Sequence, residues 1–147
     1  MKNNIILISI ILAIIFGANF IWESAHSFLY MPHYAGFWSF VFIHIKASLG
    51  DMLIYVLLYL SGAFVFRNNK WFLTQRKYPY LFLIFMGFCL AIIIENFALK
   101  SGRWAYNDLM PIVPIINIGL SPILQLVIIP SAIMKVISTY YRKFIFI

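Results

Sequence analysis

From Tyr80 to Leu99 the chain reads YLFLIFMGFCLAIIIENFAL, twenty residues with a single charge, Glu95. As a helix, about 20 apolar residues are enough to cross the hydrocarbon core of a bilayer. The pattern recurs, and four apolar spans are predicted at residues 5–24, 46–66, 80–99 and 118–141. The 147 residues are 64% hydrophobic and only 10% charged, against about a quarter charged in soluble domains. The expected fold is therefore all-α: a polytopic membrane four-helix bundle in one domain, 1–147, with an apolar outer loop before the last helix. Lys2 precedes the first apolar run as in a signal peptide, but the run is long for one and Phe16-Gly17-Ala18 is a poor cleavage site, so retention is expected.

Basic residues set the expected orientation. The linker Arg67 to Pro79 carries Arg67, Lys70, Arg76 and Lys77 and no acid, which places it in the cytoplasm by the positive-inside rule. Both termini follow it inside, with Lys2, Lys135, Arg142 and Lys143. All four acids, Glu23, Asp51, Glu95 and Asp108, then lie toward the other face, with His26, His33 and His44. The surrounding partner implied is the lipid bilayer. The net charge of +7 does not indicate nucleic acid, since no basic run reaches five residues. The single Cys89 excludes a disulfide framework and reads as a packing residue.

The polar residues inside the spans are not scattered. Asn19, Glu23, His26 and Tyr30 follow an i, i+4, i+7, i+11 spacing and share one face if the helix continues that far. His44, Ser48, Asp51 and Tyr55 repeat it on the second span. Gly87, Ala91, Glu95 and Ala98 form a narrow seam on the third, with small residues that let a neighbour approach. On the fourth, Ser121-Pro122 reads as an N-cap followed by proline in the first turn, Gln125 follows one turn on, and Pro130 is expected to kink the helix.

Carboxylates facing lipid cost several kcal/mol, so they turn toward the bundle interior, a cavity or each other. The expectation is an outward-opening pocket lined by Glu23, His26, His44, Asp51 and Glu95. Arg103, Trp104 and Tyr106 of the outer loop are its candidate cover. A structural reading stands beside this one, with Asp51 and Glu95 hydrogen-bonded to Asn19, Ser48, Asn96 or Gln125. Trp22, Trp38, Trp71, Tyr78 and Trp104 fall near the expected interfaces, where aromatic belts form.

Trp22-Glu23 with Leu29-Tyr30, His44 with Gly50-Asp51, Glu95-Asn96, Trp104-Ala105-Tyr106, Met110-Pro111 and Ser121-Pro122 with Gln125 together resemble a group of small bacterial integral membrane proteins. That likeness implies a four-helix membrane protein and no particular reaction. The stretch ENFALKSGRWAYNDLMPIVP is also similar, more faintly, to membrane modules of carotenoid cyclases and hydratases, which implies an isoprenoid or other lipid substrate. It departs from them after the proline, where those modules carry paired glutamates and this chain reads SPILQ.

Four functions fit these residues. An enzyme acting on a lipid-soluble molecule would use Glu95, Asp51, Glu23 and His44 as acids and bases, with Asn19, Arg103, Trp104, Tyr106 and Gln125 binding substrate. A mononuclear metal site would draw on Glu23, His26, His44, Asp51 and Glu95, because Glu23-x-x-His26 puts two ligand types on one helical face. A transporter or ion-binding subunit would need a homo-oligomer, since four helices are few for a translocation path. An accessory subunit would use the acids to hold a partner in a membrane complex. No Ser/His/Asp nucleophile arrangement, phosphate-cradling glycine loop or dinucleotide fingerprint is visible in the sequence.

Overall fold

The computed structural model describes residues 2–32, 34–73 and 76–145, with side chains from Ile8 to Tyr140 within those ranges; His33 lies outside the described residues. Four long helices form: α1 (Lys2–His26), α2 (Gly36–Phe66), α3 (Lys77–Lys100) and α4 (Leu120–Ile145). All four contain stretches long and apolar enough to cross a membrane. Two short strands, β1 (Ile112–Val113) and β2 (Ile118–Gly119), pair antiparallel and lead directly into α4.

Two helix boundaries and the outer loop differ from what the sequence predicts. Helix α1 stops at His26, so Tyr30 leaves the helical stripe after a single turn of 3-10 helix, Ser27–Leu29. Helix α2 starts at Gly36, ten residues before the expected 46, because the aromatic stretch GFWSFVFIHI is helical rather than an interfacial loop. At 31 residues and 1.5 Å per residue, α2 is about 46 Å long, more than a bilayer core of about 30 Å. The outer loop contains the β1/β2 hairpin, which turns over Pro114 to Asn117, with Asn117 in the left-handed region at φ +53. Helix α4 continues through Pro130.

Small residues set the closest helix contacts. A Cβ on Gly87 of α3 would overlap the backbone carbonyl of Leu126, so α3 and α4 touch nearly backbone to backbone. At the linker end, Trp71 is 3% exposed, and its ring occupies the space a side chain on Gly62 would need. Its Nε1 donates to the Tyr59 carbonyl at 3.0 Å, and it stacks on Phe66 with centroids 5.6 Å apart. Trp71 is thus a core residue that the linker folds back into the bundle, not part of an interfacial belt. Trp38 and Tyr78, by contrast, are exposed as belt residues would be.

At the opposite end the two connecting loops are stitched together. The Met31 N–H donates to Ala105 O at 2.9 Å and the Asn107 N–H to Leu29 O at 3.1 Å. Gly102, with φ +67, takes the left-handed conformation that ends α3 and turns the chain toward this seam. The loop pair is anchored over the ends of α1, α3 and α4, where the polar residues of the spans converge.

Candidate functional site

Gln125 is the hub of that convergence. It is 4% exposed, and its Nε2 lies 2.9 Å from Glu23 Oε1, 2.9 Å from Asp51 Oδ2 and 3.2 Å from Asn19 Oδ1. One amide from α4 therefore joins two acids from α1 and α2. The helical stripes explain the placement: Asn19 and Glu23 are one turn apart on α1, and Ser48, Asp51 and Tyr55 share the inward face of α2. An amide N–H2 has only two protons, so three oxygens compete for them.

His26 extends the cluster toward the end of the bundle. Its Nε2 is 3.4 Å from Glu23 Oε2 and its Nδ1 is 2.7 Å from the Ser121 hydroxyl. Ser121 was expected to cap α4. Instead the helix begins at Leu120, whose N–H is bound by Pro111 O at 2.7 Å, so the serine lies inside the first turn with its hydroxyl facing α1. A Ser/His/acid arrangement, invisible in the sequence because Ser121 and His26 are 95 residues apart, is assembled by the fold.

Glu95 forms a second group. It is 5% exposed, and its Oε2 accepts from Trp104 Nε1 at 3.2 Å and from the Tyr106 hydroxyl. Gly119 makes this possible, since a Cβ there would come within 3.1 Å of the Tyr106 ring and 2.7 Å of Met110 Sδ. Tyr30 joins the two groups, with its ring 5.3 Å from His26 and 5.4 Å from Tyr106. Burial first, then the nearby charge of Glu95, with Tyr106, Glu23 and Asp51 adding to it, pushes the Tyr30 phenol well above its ordinary range. Burial and the hydrogen bond to Glu95 do the same to Tyr106.

Two further expected members make their hydrogen bonds and ring contacts with other residues. His44 is buried, but its Nδ1 is bonded to the Phe40 carbonyl at 2.6 Å and its ring packs on Phe40 and Tyr34. Arg103 is exposed, with its guanidinium 5.0 Å from the centre of the Phe97 ring. Among the described residues no three His, Cys, Asp or Glu side chains are grouped so as to hold a metal ion. The geometry shows why the expected set does not form. Both His26 nitrogens have protein partners, and the Gln125 amide stands between Glu23 and Asp51.

Directly below the hub, the same faces of α1 and α2 turn apolar and line a groove of about 720 Å³. Ile15 and Ile11 from α1, Met52 and Tyr55 from α2, and Ile133 and Met134 from α4 form its walls. Asn69, Lys70 and Trp71 of the linker close its other end. Its volume lies within the range of small-molecule sites, about 300–1,000 Å³. Compared with known protein families, curated proteins and solved structures, the chain has no significant match.

Proposed function

We propose that the chain is a multi-pass enzyme of the bacterial inner membrane that performs acid–base chemistry on a lipid-soluble, isoprenoid-like or acyl substrate. In this reading the linker and termini are cytoplasmic and the site opens toward the other face. The observation that carries it is the Glu23–Gln125–Asp51 bridge, set about one helical turn from Ile15, Met52 and Tyr55 in the wall of the apolar groove. Two carboxylates held on one amide in a low dielectric are suited to giving up and taking back a proton. Glu95, hydrogen-bonded by Trp104 and Tyr106, supplies a further carboxylate beside them, and Asn19 and Gln125 orient the pair. An apolar chain in the groove would bring its end toward Ile15 and Tyr55, about one turn from Asn19 and Asp51.

The test is a comparison of lipid extracts from cells expressing the wild-type chain, Asp51→Asn or Glu95→Gln at equal membrane levels. A lipid species that changes with the wild-type chain and not with the variants supports the reading. Extracts that are identical with and without the wild-type chain overturn it.

A further inference from the structure

The Ser121, His26 and Glu23 array has an internal logic that carboxylate chemistry alone does not use. The Ser121 hydroxyl and His26 Nδ1 lie 2.7 Å apart; in the tautomer protonated on Nε2, which lies 3.4 Å from Glu23 Oε2, the hydroxyl donates to Nδ1. The other oxygen of Glu23 accepts from Gln125 at 2.9 Å. Each group is therefore oriented by the next: a hydroxyl with a base in reach, and a base held by a third group. The imidazole uses Nδ1 rather than Nε2 toward the hydroxyl.

We propose that Ser121 is a nucleophile, that His26 is its general base, that Glu23 is the positioning residue, and that the reaction is acyl transfer from a carboxylic ester of a lipid. This deepens the enzyme reading above and rests on it. Depth selects the substrate class. His26 lies in the last turn of α1 and Ser121 in the first turn of α4, both at the ends of membrane-length helices, where hydrocarbon gives way to headgroups. The ester carbonyls of glycerolipids lie at that level. Ser121 is half-buried and within reach, whereas His26 behind it is 7% exposed.

In the forward step Ser121 Oγ bonds to the acyl carbon while its proton passes to His26 Nδ1. Collapse of the tetrahedral adduct breaks the bond to the alcohol, which leaves with that proton. Water or an acceptor alcohol then attacks the acyl-serine, gives its proton to His26 and releases the acyl group, and Ser121 recovers its proton. Negative charge developing on the carbonyl oxygen is met by the positive end of the α4 dipole.

The experiment is exposure of the purified full chain in detergent to a fluorophosphonate, read by intact mass and peptide mapping. One adduct on Ser121 is expected, absent in Ser121→Ala and kept in the Ser27→Ala control. His26→Ala should label about a hundredfold more slowly, the size of a general-base contribution. Glu23→Gln should slow the covalent step without weakening probe binding, a split that loss of packing would not produce. Should Ser121→Ala fail to fold, mapping of the wild-type adduct still decides. No adduct, or an adduct on another serine, overturns the nucleophile. If lipid extracts still depend on Asp51 in that case, the broader enzyme reading survives; if they do not, both fall.

Discussion

The Gln125 amide nitrogen lies 2.9 Å from both Glu23 and Asp51, so a single side chain of α4 fastens α1 to α2 through their acids. Gln125 thus ties three helices together at the far end of the bundle.

Replacing it tests that dependence. Gln125→Leu keeps the bulk but leaves buried carboxylate and amide oxygens without a donor, at about 1–3 kcal/mol for each unsatisfied group. Thermal unfolding in detergent should show a lower midpoint for Gln125→Leu than for Leu124→Ala, whose side chain is outside the network. Equal midpoints would mean that the amide holds nothing.

Gly87 is the second structural test. Gly87→Val would drive its side chain into the Leu126 carbonyl, a backbone atom that cannot step aside without parting α3 from α4. Overpacking of this kind costs about 1–3 kcal/mol. Disulfide trapping between cysteines placed at Leu83 and Met134, which pack in one cluster, should become inefficient in Gly87→Val. Unchanged trapping would contradict the close crossing.

Helical spacing made the stripes readable in advance, because side chains three and four residues apart must share a face whatever the helices pack against. Gly87, Ala91, Glu95 and Ala98 are all buried on α3, and His44, Ser48 and Tyr55 on α2. Contacts made across the fold were not readable. Nothing local links Ser121 to His26, and the capping signature of Ser121-Pro122 pointed to a different partner. Trp71 looks like a belt residue because a tryptophan beside basic residues usually is one; its burial depends on the linker folding its ring back onto Gly62 of α2. The strands of two residues each fall below any periodic signal.

The outer loop should respond to alkali. Tyr30 and Tyr106 have phenols raised above the ordinary 10.0, by burial first and by Glu95. The folded state therefore holds their protons where the unfolded state releases them. Their contribution to stability is full below about pH 10 and is lost as pH rises from there toward the raised values. Difference absorbance between wild type and Tyr106→Phe should show no missing phenolate near pH 10 in the folded proteins. A full phenolate equivalent lost at that pH would contradict the burial of Tyr106 against Glu95.

At the linker end, Trp71→Ala should cost about 3–5 kcal/mol, the usual range for a buried tryptophan. Trp71→Phe should recover part of it by keeping the stack on Phe66 while losing the bond to Tyr59. If the alanine variant unfolds at the wild-type temperature, the ring is not in the core.

The most direct measurement of the central claim, that acids from different helices share one site, is a double-mutant cycle on unfolding free energy with Glu23→Gln, Asp51→Asn and the pair. Groups held by one amide should be coupled by at least about 0.5 kcal/mol, beyond the additivity of distant sites. Effects that add within about 0.3 kcal/mol would place the two carboxylates in separate surroundings and contradict the account.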